Sequence, residues 1–257
     1  VEGVCVLGAG STKYGKLADS IADITTQASV AAIKNAGIEP KEVGASYISN
    51  VFGVADKQVH IGPVLMSRLG IPDKPSLTIE SACGSGSVSF RCSEKFAKEH
   101  GGDYVKVIGS GRGGSPAALQ GRDHMTTIPS TKIASEAAYK MAGVTAKDID
   151  FAEVHDCFTI AEVVDTEDLG FFDKGQGIQA VREERTRLNS DISINPSGGL
   201  KSKGHPIGAT GIGQVVEMYD QLTGNAGRRS VKDAKLGMTH NFGATGASCA
   251  VHIFESA

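Results

Sequence analysis

The 257-residue chain has no tryptophan, no CxxC pair and no apolar run approaching the length of a membrane span. A spanning helix needs about 20 predominantly apolar residues, so the expectation is a protein that does not cross a membrane. It also lacks a charge excess: 26 Lys and Arg face 29 Asp and Glu, mixed along the chain, for a net charge of −3. That balance argues against a nucleic-acid footprint or a basic membrane-binding surface. The five cysteines (Cys5, Cys83, Cys92, Cys157, Cys249) are odd in number and widely spaced. Free thiols in a reducing compartment are expected rather than a disulfide framework. The N-terminus has no signal-peptide pattern and starts at Val1 without methionine, which reads as a cytoplasmic protein, processed or trimmed. The phosphate-loop pattern GxxxxGK[ST] is absent. Gly8-Ala9-Gly10 is a partial dinucleotide signature, with Lys13 where the third glycine would fall.

Glycine is what the chain has in plenty. Its 33 glycines sit among apolar runs in a composition that is 40% hydrophobic. Tight turns and close backbone approaches follow, rather than disorder. The length suits one large domain or two small ones.

A repeat organises the chain. ASVAAIKNAGIEPK at 28–41 and ASEAAYKMAGVTAK at 134–147 agree at eight of fourteen positions, at a constant offset of 106. The register continues through Val43/Ile149 and Ile48/Val154. Upstream, VCVLGAG at 4–10 resembles VKVIGSG at 105–111. Each copy reads as strand, glycine turn, helix and strand. Ile21, Ile24, Ala28, Ala31 and Ala32 mark one helix face, and Ile133, Ala137 and Met141 the other copy's, with Gly37 and Gly143 as C-terminal caps. ASYISNV and DFAEVHD follow as strands. Two βαβ-type units imply an α/β protein with parallel pairing.

Four segments could carry chemistry. EVHDCFT (153–159) sets His155, Asp156 and Cys157 just past a strand's carboxyl end, where α/β proteins place their sites. A metal clip, a nucleophile with its base, and a buried structural cysteine are all open there, although the spacing for zinc is weak. LTIESACGSGS (77–87) suits a strand and tight turn that bring Cys83 to a helix N-terminus, next to backbone N–H groups able to receive an oxyanion. The alternative is a small buried cysteine. NPSGGLKSKGHPIGATGIGQ (195–214) carries one imidazole, His205, before Pro206, and a lone histidine is more often structural. THNFGATGAS (239–248) precedes the terminal strand CAVHIF, and His240, His252 and Cys249 read as structural.

Together SACGSG, HDCF, GHPIGATG and NFGATG, in this order, resemble the thiolase superfamily, nearest to its archaeal acetyl-CoA acetyltransferase and sterol-carrier-protein-type branch. The resemblance implies tandem βαβαβαββ halves stacked as α-β-α-β-α layers, here an N-terminal half over 1–91 and a C-terminal half over 92–257. It makes Cys83 the nucleophile that takes an acyl group from coenzyme A. His205 becomes its base and a donor to the thioester oxygen of the second acyl group. His155 completes that oxyanion hole, and Cys157 is the acid/base. The backbone N–H groups of Cys83 and Gly243 form a second hole. Ser197, Gly198 and Asn241 are possible substrate contacts; Asn241 stands where many thiolases keep an acid/base cysteine. No metal and no covalently bound cofactor is implied, with a coenzyme A thioester as substrate. Expected partners are a second copy of the chain, and an HMG-CoA synthase with a small acyl-CoA-binding protein.

The chain departs from the family in length. Only eight residues separate Cys83 from Arg91, too few to complete a half, and CSEKFAKEHGG (92–102) resembles sequence beyond the start of the second half. The first half is therefore expected to be incomplete and the loop domain over coenzyme A missing, either by a real deletion at Arg91–Cys92 or by a numbering that closes over a gap. A catalytically silent subunit is the alternative that the deletion favours.

Overall fold

The computed structural model describes residues 4–53, 57–94 and 104–257. The first part of the chain runs β1 (Cys5–Val6), α1 (Ile21–Ala36), β2 (Ser46–Ser49), α2 (Ile61–Arg68), β3 (Ser76–Ile79) and α3 (Ser85–Glu94). The second runs β4 (Val105–Gly114), α4 (Pro129–Ala142), β5 (Phe151–Glu153), α5 (Thr159–Asp168), α6 (Gly177–Arg182) and β6 (Ser193–Ile194). It ends with α7 (Gly199–Lys203), α8 (Thr210–Leu222), β7 (Leu236–Gly243) and β8 (Ser248–Glu255). Helix α3 continues through Arg91 and Cys92. Most of CSEKFAKEHGG lies outside the described residues.

The repeat reappears in the packing. Gly37 and Gly143 end α1 and α4 with φ of 66° and 72°, in the left-handed conformation that glycine adopts without strain. Matched 3-10 turns follow at Pro40–Glu42 and Ala146–Asp148, each closed by a capping box. Glycines of the two copies, Gly10 beyond β1 and Gly111 within β4, meet the helices at equivalent places. Gly10 approaches the backbone of Ala28 and Ala32, and Gly111 that of Ala134 and Ala138. Any side chain at these positions would occupy the space of the helix backbone.

That close approach overturns the expected helix face in the second copy. Ile133 and Met141 are 49% and 41% exposed, and α4 buries Ser130, Thr131, Ala134, Ser135 and Ala138 instead. Only small side chains fit between a helix and a glycine-lined strand, so the large apolar residues face outward. In Gly111→Ala the new methyl falls on the Ala134 carbonyl. We expect a loss of about 1–3 kcal/mol, the usual cost of overpacking, read as a lower denaturant midpoint at unchanged slope.

The expected parallel pairing holds only locally. The main sheet has the order β1-β4-β8-β7-β5-β6. Strand β5 runs parallel to β6 and β7, whereas β8 is antiparallel to both β7 and β4. Two strands thus separate β4 from β5. In the first half β2 pairs β3 in parallel, as β5 pairs β6. Counterparts of β7 and β8 are lacking among the described residues, and β1 turns to pair antiparallel with β4.

The layers follow from what α3 touches. Its Ser89 hydroxyl meets Ser49 of β2 at 2.6 Å, and its Phe90 ring lies 5.8 Å from Phe254 of β8. Helix α3 therefore sits between the two sheets, with α8 beside it. Helices α4 and α5 cover the outer face of the main sheet through Ala134, Ala138, Ala161 and Leu169, and α2 packs on β2 and β3 with α1 alongside. The result is the α-β-α-β-α layering that the resemblance implies, with a reduced first half. Most of the core is in the second half, where both faces of β7 and β8 are buried. All four residues of β2 are half-buried.

Candidate active site

Cys83 sits in a 3-10 turn, Ala82–Gly84, between β3 and α3. Ala82 has φ of +46°, a left-handed conformation unusual for a residue with a side chain. Neighbouring hydroxyls hold this turn. Ser85 Oγ accepts from the Ser81 N–H at 2.8 Å and donates to the Ala82 carbonyl at 2.6 Å. Ser81 Oγ meets Ser248 Oγ at 2.7 Å and so ties the turn to β8. Gly243, at the end of β7, packs on the same turn: a Cβ on Gly84 would lie 3.2 Å from the Gly243 nitrogen.

Glycine also lets α3 reach α8. A Cβ on Gly86 would lie 2.8 Å from the Ile212 nitrogen, and one on Gly211 would collide with the Ser87 backbone. The glycines of GHPIGATG thereby bring the His205 segment to the nucleophile turn.

His155 lies two residues beyond the end of β5 and is fully buried. Its ring stands edge-on to Phe242, 4.7 Å between centroids, and to His205, 5.0 Å. A ligating atom from each of Cys83, His155 and His205 lies within 4.8 Å of the other two. Nδ1 of His155 is 3.0 Å from Asn241 Nδ2, and Nδ1 of His205 is 2.7 Å from Thr210 Oγ1. Nε2 of both rings is buried without a hydrogen-bond partner. Burial holds both imidazoles below their ordinary pKa, His155 well below, with the charges of His205 and His240 adding to the effect there.

Cys157 is half-buried, with its pKa pushed up to about 11 by burial first and by the negative charge on Cys83 second.

Asp156 turns away from His155. It accepts from the Leu200 N–H with both oxygens, at 2.9 and 3.0 Å, and so caps α7. Gly199 is required there: its φ is +64°, and a Cβ would occupy the carboxylate's position. Glu153, 1% exposed, accepts from Ser197 N at 3.0 Å, Ser197 Oγ at 2.7 Å and Lys203 Nζ at 3.1 Å. Burial raises the Glu153 pKa, and the Lys203 charge opposes the shift.

Cys83, His155, His205 and Asn241 are thus brought together, with Gly243 against the nucleophile turn. Ser197 instead bonds to Glu153 and Lys203, and Gly198 caps α7 with φ of 89°. The histidines read as structural are so placed: His240 is buried, meets Thr131 at 2.9 Å, and has its pKa pushed down to about 3 by burial. Thr210, Glu153 and Lys203 escaped the sequence reading, and Asp156 was named there without a role. Only the position of Asp156 between two candidates hinted at a role. As donors, Cys83 and the two histidines suit a thiophilic cation with an open position; the set contains Cys83 and not Cys157.

Comparison with known proteins bears on the family. The family described as thiolase C-terminal domain-like matches residues 111–256. The acetyl-CoA acetyltransferase of Methanothermobacter thermautotrophicus is 30% identical over 379 aligned positions, which take in 98% of this chain and 99% of that protein. Because this chain has 257 residues, much of that alignment faces no residue here. Sterol carrier protein 2 of Bos taurus is 34% identical over 208 residues, or 78% of this chain and 38% of that protein. Among solved structures, the Ltp2-ChsH2(DUF35) aldolase superposes with a TM-score of 0.83 at 13% identity, covering 98% of this chain and 97% of that one. The last likeness concerns the fold alone, whereas the matched family and the archaeal relative carry the assignment: this chain belongs to the thiolase superfamily.

Proposed function

We propose that the protein is an acyl-CoA acyltransferase of the acetyl-CoA C-acetyltransferase type, working through a thioester on Cys83. The observation that carries this reading is the half-buried thiol faced by two neutral imidazoles, each with an unpartnered buried Nε2. His205 takes the thiol proton. The Cys83 thiolate attacks the acetyl carbonyl, and coenzyme A leaves as a thiol with the proton that Cys157 gives up, while His205 keeps the Cys83 proton. A second acetyl-CoA then loses an α-proton to the Cys157 thiolate, while its thioester oxygen is held by Nε2–H of His155 and of the protonated His205. The carbanion attacks acetyl-Cys83, whose oxyanion is received by the N–H groups of Cys83 and Gly243, and acetoacetyl-CoA departs as Cys83 takes its proton back from His205. Each such donor contributes roughly 3 kcal/mol. The halves 1–91 and 92–257 supply the nucleophile and the remaining groups respectively.

Incubation with acetyl-CoA followed by intact-mass measurement is expected to show one acetyl group per chain. Cys157→Ser is expected to keep that adduct and lose about two to four decades in condensation rate. Equal losses in both half-reactions would contradict the division of labour. A second reading, a catalytically silent thiolase-like subunit, is favoured by the reduced first half. It would bind a second copy, or a synthase and a small acyl-CoA-binding protein, and a protein that never acquires the acetyl group would support it.

A further inference from the structure

We propose that Asn241 and Thr210 are positioning residues that hold His155 and His205 in opposite tautomers, one ring presenting an N–H and the other a lone pair beside the Cys83 sulfur. The inference rests on the acyl-transfer reading for its use, but not for its geometry.

The two rings are neutral because both are buried, so each carries one ring proton. An amide nitrogen can only donate. With the Asn241 amide turned so that Nδ2 lies 3.0 Å from the ring, Nδ1 of His155 is bare and the proton resides on Nε2. His205 has the opposite arrangement. The Thr210 hydroxyl has one proton, and its oxygen lies 3.2 Å from the Pro206 carbonyl, a group that can only accept. Donation there leaves the hydroxyl oxygen to accept from Nδ1–H of His205 at 2.7 Å. Nε2 of His205 is then bare.

Both positioning groups are themselves fixed. Asn241 is fully buried in the main sheet and Thr210 is 2% exposed at the start of α8. Gly211 follows Thr210, and a Cβ there would lie 2.8 Å from the Asn241 oxygen. One glycine therefore permits the helix that carries Thr210 and the strand that carries Asn241 to meet.

Two neutral histidines without such partners would each sample both tautomers, and two bare or two protonated nitrogens would face the sulfur much of the time. With the partners, the site holds one base and one donor before substrate arrives. When His205 accepts the Cys83 proton, its Nδ1–H contact to Thr210 stays as it was, so the imidazolium forms without rearrangement. The cost of reorganising the site falls before the reaction rather than during it.

The test is nitrogen NMR of the 15N-histidine-labelled full chain without substrate, with signals assigned through His155→Gln and His205→Gln. Bare and protonated ring nitrogens are distinguished directly. The expected spectrum has Nδ1 bare in His155 and protonated in His205; the same tautomer in both rings overturns the proposal. In Asn241→Asp a carboxylate can only accept, so Nδ1 of His155 is expected to become protonated. An unchanged signal counts against Asn241. Thr210→Val is expected to slow acetylation of Cys83 tenfold or more without raising KM and to displace its pH profile, with Thr210→Ser restoring both. A Thr210→Val protein with the parent rate and profile rejects the role of Thr210. The two readings fail separately: correct tautomers without an acetyl adduct sink the acyltransferase, and an adduct with like tautomers sinks this proposal.

Discussion

Cys83→Ala is expected to abolish acetyl labelling by acetyl-CoA while leaving the fold intact. No other group near the site can replace the nucleophile. Cys157 has its pKa pushed up to about 11, and the fully buried Cys249 is raised still further by burial. A thiolate is the nucleophilic form, so neither sulfur replaces Cys83 as the acyl acceptor at neutral pH. The turn does not depend on the lost sulfur, because Ser81, Ser85 and Ser248 hold it by hydroxyl contacts. The change removes a half-buried atom, which ordinarily costs little stability. Overall turnover should fall by something on the order of 10⁶, the scale seen when a covalent nucleophile is removed elsewhere. Intact mass and peptide mapping read the result: an acetyl group retained by the alanine variant, on any of the other four cysteines, would refute the assignment.

How much of this was legible in the sequence depends on which contacts are local. The strand-to-helix repeats were readable because they rest on caps and periodicity within about 50 residues of chain. Gly37 and Gly143 announced the helix ends, and the offset of 106 carried through to the paired 3-10 turns. Which face of α4 is buried was not readable by hydrophobic spacing. The decisive fact is the backbone of Gly109, Gly111 and Gly113 on another element. Glycine content hinted at close approach, but not at what approaches. The sheet order was equally hidden. Two antiparallel strands from the chain's end enter between β4 and β5, and local pattern carries no record of that.

The site divides in the same way. Cys83, His155, Cys157 and His205 stood out because their residue types are chemically reactive and sit beside glycine turns. Their supporting groups did not. Thr210 looks like an ordinary helix-start residue, and Asn241 was singled out only by the resemblance, as a substrate contact and not as a partner of His155. The roles of both depend on side chains remote in sequence or folded back upon them. Lys203 and Glu153 are 50 positions apart and would each pass as surface charge, yet the carboxylate is 1% exposed.

That ion pair gives the second large effect. In Lys203→Met the Glu153 carboxylate keeps its two bonds from Ser197 but loses the ammonium bonded to it, in a place where burial already raises its pKa. Breaking one partner of a buried pair typically costs about 3–5 kcal/mol, because the remaining charge is left uncompensated. For a chain of this size the melting temperature should fall by roughly 10 °C. Activity should fall as well, through position rather than chemistry. Segment 195–205 is tied to β5 by the Ser197 and Lys203 contacts and to the HDCF segment by Asp156, and it delivers His205. Loosening it moves the base relative to the sulfur, so the acetylation step slows. The double variant Glu153→Gln/Lys203→Met separates the two causes. A neutral amide removes the unpaired charge and still bonds to Ser197, so most of the melting temperature should return. Double-variant stability no better than that of Lys203→Met would mean that the lysine's hydrocarbon packing, and not the buried charge, holds the His205 segment in place.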